Sequence, residues 1–132
     1  MNLIICLDAD GGYSFANRRQ SRDRILLDEM LQIIGDSRLF VNGYTAKLFE
    51  YVSVNLVVCD NPLKECADSD FCFAENIDIE NISPNKIIIC RWNRSYPYDK
   101  KFPENLLINK QLVSSFEFKG NSHEKITVEV FE

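Results

Sequence analysis

Predominantly apolar runs along the chain have the length of β-strands. The clearest are Leu3–Leu7, Leu39–Val41, Val54–Cys59 and Lys86–Cys90, with Phe71–Phe73 as a weaker one. Continuous apolar runs are typical of strands that are covered on both faces, as in parallel sheets. The pattern therefore predicts a largely buried sheet.

The apolar spacing changes to that of an α-helix between the first two runs. The apolar stripe consists of Ile25, Leu26, Leu27, Met30, Leu31, Ile33 and Ile34. Ser21 or Asp23 is placed to cap the N-terminus of this helix, and Gly35 follows its last apolar residue. The pattern predicts an amphipathic helix with a wide buried stripe.

Shorter helical segments and a hairpin complete the pattern. Thr45 is predicted to cap a brief helix, and Ile77–Ser83 is predicted to form a helical turn. Tyr96–Asn109 has few periodic signals and is expected to be an irregular loop. Leu112–Lys119 and Ile126–Phe131 alternate between apolar and polar residues, as half-exposed strands of an antiparallel hairpin do.

This order of elements predicts one α/β domain over residues 1–132, with a mostly parallel mixed sheet flanked by helices and a C-terminal antiparallel hairpin. Ligands of such sheets bind beyond the carboxyl ends of the strands. We expect that edge to be lined by the segments that follow Leu7, Val41, Phe73 and Cys90.

The composition excludes some classes of protein. The chain has 132 residues, a net charge of −5 and 45% hydrophobic residues, as expected for a globular domain. Its acidic balance argues against general nucleic-acid binding, which depends on broad cationic surfaces. No apolar run approaches the ~18 residues that a membrane helix needs. We therefore expect a cytoplasmic protein without membrane contact.

The cysteines and paired carboxylates give little sign of a metal or redox site. The five cysteines include no C-x-x-C pair, and Cys6, Cys59 and Cys90 lie in predicted strands. Such residues usually behave as small buried apolar groups, so reduced thiols are expected. The Asp-x-Asp pairs at residues 8–10 and 68–70 lack further ligands nearby, and no metal site is predicted.

The cationic residues cluster on two segments at the predicted ligand-binding edge. Four of the seven arginines fall between Arg18 and Arg24, at a junction between strand and helix. A helix N-terminus adds its own positive potential there. The candidate ligand-binding residues are Asn17, Arg18, Arg19, Gln20, Arg22, Glu75, Arg91, Trp92 and Arg94. Together they predict a site for an anion.

These residues also have plain structural interpretations. The arginines could form solvated ion pairs, for example with Asp99 or Glu104 at the later segment. Trp92 could pack in the core, and Glu75 could lie in a turn. His123, the single histidine, is expected in the surface turn of the hairpin. An acid–base role for it requires the hairpin to bend back over the site.

The order of elements resembles dihydrofolate reductase over most of the chain. The resemblance rests on the opening strand Leu3–Leu7, the Gly-x-Thr step at Gly43–Thr45, Asp99–Pro103 in place of the family's Asp-x-x-Phe-Pro, and the closing hairpin. It implies a dihydrofolate-reductase-like fold and, in that family, a reductase that uses a nicotinamide cofactor.

The sequence departs from that family where the family binds its cofactor. A Gly-Gly pair that lets the backbone approach the nicotinamide is replaced here by Phe73–Asn76, which introduces the charge of Glu75. Phosphate recognition prefers hydrogen-bond donors and positive potential. The Leu-Pro-Trp step before the family's active-site helix is replaced by Arg19–Ser21, and its acidic residue has only Asp23 or Asp28 as counterparts. We therefore expect no NADPH binding and no cofactor.

Three segments also resemble short bacterial proteins of unknown function that often carry the label ribonuclease Z. They are residues 17–24, 44–49 and 122–127. True ribonuclease Z is a metallo-hydrolase with several histidines in a His-x-His-x-Asp-His motif. Because His123 is the single histidine of this chain, that two-metal site cannot be built, and the label is unsupported.

The sequence thus favours a domain that binds an anionic small molecule or nucleotide and lacks normal reductase activity. A nicotinamide-dependent, dihydrofolate-reductase-like oxidoreductase is one alternative. A protein-interaction module that uses the arginine cluster on an acidic partner is another. The identity of the ligand, the oligomeric state and any catalysed step stay open.

Overall fold

Ten strands and three helices form the secondary structure of residues 1–132, which a computed structural model describes in full. The strands are β1 (Asn2–Leu7), β2 (Gly12–Phe15), β3 (Arg18–Arg19), β4 (Arg38–Val41), β5 (Asn55–Val58), β6 (Phe71–Phe73), β7 (Lys86–Arg91), β8 (Lys100–Lys101), β9 (Leu112–Phe118) and β10 (Ile126–Phe131). The helices are α1 (Arg24–Ile34), α2 (Gly43–Ala46) and α3 (Pro62–Glu65), with 3₁₀ turns at Lys47–Phe49 and Glu104–Leu107. Every strand that the sequence predicted is confirmed.

Seven of the strands form the main sheet, in the order β5-β4-β6-β1-β7-β10-β9. The central strand β1 pairs in parallel with β6 and β7, and β4 pairs in parallel with β5 and β6. Strand β10 is antiparallel to both β7 and β9, so the C-terminal hairpin closes one side of the sheet. The predicted fold class is confirmed.

Two apolar cores cover opposite faces of the main sheet, because successive residues of a strand point to opposite sides. On β7, Ile88 and Cys90 point to the face that α1 covers, whereas Ile87 and Ile89 point to the other face. Helix α1 buries Leu26 and its apolar neighbours against the first face. The same alternation decides which way the residues at the end of β7 point.

Both ends of α1 are fixed by specific backbone hydrogen bonds. The Asp23 carboxylate accepts the N–H groups of Ile25 and Leu26, so Asp23 is the N-cap. Gly35 has a φ of 56°, and its N–H donates to the Leu31 carbonyl at 2.9 Å. Asp23, rather than Ser21, is therefore the cap among the two predicted candidates.

Two predicted local features are wrong. Thr45 does not cap α2, because Asn42 Oδ1 accepts the Thr45 N–H at 2.9 Å and Asn42 occupies the cap position. Ile77–Ser83 contains no helix. Within that segment Asn81 has a φ of 59°, which interrupts a right-handed helix, and the Ile77 carbonyl accepts the Tyr13 hydroxyl instead of a helical N–H.

Two stretches that the sequence left irregular pair with each other. Strands β3, β2 and β8 form a second, three-stranded sheet in that order. The Asp99 N–H donates to the Ser14 carbonyl at 2.9 Å, and the Asp99 carboxylate accepts the Ala16 N–H at 3.0 Å. This small sheet holds the arginine-rich segment against the loop that follows β7.

All five cysteines are free. Cys90 is buried in its strand as predicted, whereas Cys6 and Cys59 are only partly buried. None of the helices combines the length and the apolar character that a membrane span requires. No three His, Cys, Asp or Glu side chains are grouped closely enough to serve as metal ligands.

A matched pair of isoleucine substitutions tests the position of the core. Ile88 is 0% exposed in β7, whereas Ile108 is 74% exposed. Ile88→Ala should lower the free energy of unfolding by about 2–5 kcal/mol, because it removes buried contacts and leaves a cavity. Ile108→Ala should change it by less than about 0.5 kcal/mol. Urea denaturation measures both, and equal effects would contradict the assigned face.

Candidate functional site

A cavity of about 360 Å³ lies between the N-terminal half of α1 and the main sheet. One part of its wall is apolar and consists of Cys6, Leu26, Leu27, Met30, Leu48, Phe73 and Trp92. The rest is polar and consists of Ser21, Arg22, Asp23, Arg24, Glu75, Asn121 and Ser122. This volume and this mixture of surfaces are typical of a small-molecule site.

Asp23 joins α1 to the loop between β9 and β10. Its Oδ1 accepts the Asn121 N–H at 3.0 Å, and its Oδ2 accepts the Ser122 N–H at 2.9 Å. Gly120 permits this approach, because a Cβ at that position would lie 2.5 Å from Asp23 Oδ2. The hairpin loop therefore bends back onto the helix N-terminus.

His123 lies inside this network. It is only 4% exposed, so the prediction of a surface turn residue is wrong. Its Nδ1 lies 2.9 Å from Asp23 Oδ2, and its Nε2 lies 3.0 Å from Ser21 Oγ and 3.1 Å from the Tyr96 hydroxyl. The Trp92 ring stacks on the imidazole, with 4.6 Å between the ring centroids.

The charge of Asp23 is strongly stabilised in this setting. Burial alone raises the pKa of Asp23, but the N–H groups of Asn121 and Ser122, the His123 ring and the Leu26 N–H more than offset it. The pKa of Asp23 therefore lies well below the ordinary value for an aspartate. Asp23 is an ionised acceptor at neutral pH.

A second network occupies the end of β6. The Glu75 carboxylate accepts two hydrogen bonds from the Arg19 guanidinium, at 2.7 and 3.0 Å, and one from Thr45 Oγ1 at 2.8 Å. The Arg19 guanidinium also lies 4.3 Å from the centroid of the Tyr44 ring. Partial burial lowers the pKa of Arg19, but its bonds to Glu75 outweigh this effect and raise it. Arg19 and Glu75 therefore neutralise each other beside the cavity.

A buried aspartate supports the segment that leads into the site. Asp8 Oδ1 accepts the N–H groups of Asp10 and Gly12. Its Oδ2 accepts Gln20 Nε2 at 3.1 Å and the Tyr96 N–H at 3.2 Å. Asp8 thus ties the loop after β1 both to the segment before α1 and to the loop after β7.

The structure brings together three of the predicted site residues in the cavity wall, namely Arg22, Glu75 and Trp92. Arg24, which the sequence argument did not include among the candidates, also lines it. Arg18 is exposed on β3, and the Asn17 carbonyl accepts a hydrogen bond from the Asn76 side chain outside the cavity.

The two late arginines lie away from the cavity. Arg91 belongs to the sheet face opposite α1, where it forms an ion pair with Glu129 and borders a separate depression. Arg94 borders another depression with Glu124 and Lys125. Because residues alternate along β7, Trp92 and Arg91 point to opposite faces, and the predicted convergence of both cationic segments on one rim is not seen.

Comparisons with known proteins identify the fold of this chain but assign it to no family. No protein-family model matches the sequence, and no curated protein matches it. Among solved structures, the chain is similar to dihydrofolate reductase from Enterococcus faecalis complexed with NADP(H) and RAB-propyl, with a TM-score of 0.67 and 9% sequence identity. The similarity covers 99% of this chain and 94% of that chain. The chain has a dihydrofolate-reductase-like fold.

The pH dependence of stability tests the role of Asp23. Its folded-state pKa is depressed, so its stabilising effect is complete above the unfolded-state pKa of about 3.9 and is lost as the pH falls towards the folded-state pKa. The difference in unfolding free energy between wild type and Asp23→Asn should therefore shrink as the pH falls from 5 to 3, by up to roughly 1.4 kcal/mol per unit below the unfolded pKa. Urea denaturation at each pH measures this difference. A constant difference would contradict an ionised, stabilising Asp23.

Proposed function

We propose that the protein binds an anionic small molecule, such as a nucleotide, in the cavity beside α1 and lacks normal reductase activity. The observation that carries the proposal is the cavity itself, in which an apolar wall faces the guanidinium-bearing residues Arg22 and Arg24. A ligand with a flat apolar ring and a carboxylate or phosphate group matches both surfaces.

The electrostatics support an anion at the arginine side of the cavity. Arg22 and Arg24 lie on either side of Asp23 at the N-terminus of α1, and both line the cavity. The Asp23 carboxylate between them is already bound by four N–H groups of the protein. Neither guanidinium forms an ion pair with a carboxylate of the protein, and Arg24 donates one long hydrogen bond of 3.4 Å to Asn121. Their charge is therefore available to a ligand. Arg18 and Arg94 do not line the cavity, and this proposal gives them no part in binding the ligand.

The Glu75 network argues against use of a nicotinamide cofactor. In the resembled family, bare glycine backbone meets the cofactor where this chain has Ala74 and Glu75. Here the Glu75 carboxylate, held by Arg19 and Thr45, occupies that strand end. Because Glu75 already neutralises Arg19, this strand end offers no free cation to a phosphate group. The alternative of a reductase is supported by the fold alone.

The first test measures anion binding with nucleoside monophosphates and inorganic phosphate as probes. Each probe that binds should raise the midpoint temperature of thermal unfolding of the wild-type protein. An Arg22→Ala/Arg24→Ala variant should bind roughly tenfold or more weakly, because each charge-assisted hydrogen bond contributes about 1.5–3 kcal/mol. Arg94→Ala is the matched control and should respond as wild type does.

The outcome against the proposal is an equal thermal response from wild type and the double variant. Co-purification with an acidic protein that disappears at moderate salt would instead favour the interaction-module alternative, because exposed ion pairs are screened by salt.

The second test measures NADPH binding by titration of its fluorescence. Wild type should show no saturable binding up to millimolar cofactor, because the Glu75 carboxylate stands at the strand end where a phosphate-bearing cofactor needs donors. Saturable binding at micromolar concentrations would establish the reductase alternative as the better one.

A further inference from the structure

Three side chains beside the cavity are arranged as a nucleophile, a base and an orienting acid. Ser21 Oγ lies 3.0 Å from His123 Nε2, and His123 Nδ1 lies 2.9 Å from Asp23 Oδ2. The contacts thus run from the Ser21 hydroxyl through the two ring nitrogens of His123 to the Asp23 carboxylate. This is the arrangement by which a serine hydroxyl is activated for attack on an acyl carbon.

We propose that Ser21, His123 and Asp23 form a catalytic centre that hydrolyses small carboxylic esters bound in the cavity. Ser21 is partly exposed and lines the cavity, so a substrate can reach its hydroxyl. His123 and Asp23 are buried behind it, with side chains 2% and 0% exposed. The proposal is independent of anion binding at Arg22 and Arg24.

The tautomer of His123 follows from its partners. The ionised Asp23 carboxylate accepts hydrogen bonds only, so Nδ1 carries the proton and donates a hydrogen bond to Oδ2. In the neutral imidazole Nε2 is then the acceptor, and it faces the Ser21 hydroxyl. Trp92 stacks on the ring and holds its plane. The base is therefore oriented before a substrate binds.

The proposed reaction is ester hydrolysis in two steps, with water as the second reactant. Ser21 Oγ attacks the ester carbonyl carbon while its proton moves to His123 Nε2. The bond from the acyl carbon to the alcohol oxygen then breaks, and Nε2 returns the proton to the departing alcohol. Water attacks the resulting acyl-serine with Nε2 as base, which releases the carboxylic acid and restores the Ser21 hydroxyl.

Two backbone N–H groups close to Ser21 in the chain have no partner in the protein. The backbone N–H groups of Arg22 and Arg24 donate to no atom of the protein, and both residues line the cavity with Ser21. Arg22 precedes the Asp23 cap and Arg24 is the first residue of α1, and in this proposal their N–H groups stabilise the negative charge that develops on the substrate oxygen. The segment thus provides a nucleophile together with unpaired donors.

Tyr96 distinguishes a catalytic network from a purely structural one. Its hydroxyl lies 3.1 Å from the same Nε2 that faces Ser21. A neutral Nε2 offers one lone pair, so the two hydroxyls compete for it. Removal of the Tyr96 hydroxyl should leave Ser21 as the sole hydrogen-bond partner of Nε2 and make the Ser21 hydroxyl more reactive. If the network only holds the hairpin loop in place, the reactivity of Ser21 should not increase.

The experiment measures the rate at which a fluorophosphonate probe labels the full-length protein, with the labelled residue located by peptide mass spectrometry. Wild type should be labelled at Ser21, and Ser21→Ala should not be labelled. Ser53→Ala is a control at an exposed serine remote from the cavity and should label as wild type does. Tyr96→Phe should label faster by about twofold, since two hydroxyls share one acceptor.

His123→Gln tests the base directly and should label about a hundredfold more slowly. Circular dichroism checks that each variant is folded, and Tyr96→Phe still decides the matter if His123→Gln does not fold. The proposal is overturned if folded wild type is not labelled at Ser21 by millimolar probe. It is also overturned if folded His123→Gln labels at the wild-type rate, or if Tyr96→Phe labels no faster than wild type.

Discussion

The carboxylate of Asp23 is the interaction on which the geometry of the site depends. It caps α1 by accepting two N–H groups of the first turn, and it accepts two further N–H groups from the loop between β9 and β10. A buried carboxylate is costly unless such donors surround it. Because a single carboxylate supplies both sets of bonds, the helix, the hairpin loop and the cavity between them are fixed together.

The alternation of side chains along β7 is a second constraint, which decides the residues that line the candidate site. It sends Trp92 to the face covered by α1, where the indole stacks on His123, and it sends Arg91 to the opposite face, where Glu129 neutralises it. Residues that are adjacent in sequence at a strand end therefore serve different surfaces. The cationic side of the cavity consequently comes from one segment, Arg22–Arg24, rather than from two.

The pair formed by Glu75 and Arg19 places charged groups beside the cavity at the end of a central strand. The dihydrofolate-reductase-like sheet is intact, yet the end of β6 carries a carboxylate bound by Arg19 and Thr45. A buried ion pair holds its position because the loss of either partner leaves an uncompensated charge. The pair thus keeps the Glu75 carboxylate beside the cavity, where the other walls are apolar or belong to the α1 N-terminus and the hairpin loop.

Local sequence determined the seven strands of the main sheet, α1 and the fold class, because apolar periodicity and the cap residues act over a few neighbouring positions. It also indicated Arg22, Glu75 and Trp92, from three separate segments, as candidates that line the cavity. It did not determine the environment of His123, whose partners Asp23 and Ser21 lie 100 and 102 residues away along the chain. Only the tertiary structure could bring these groups together, because the bend of the hairpin loop onto α1 depends on long-range hydrogen bonds and on the small size of Gly120.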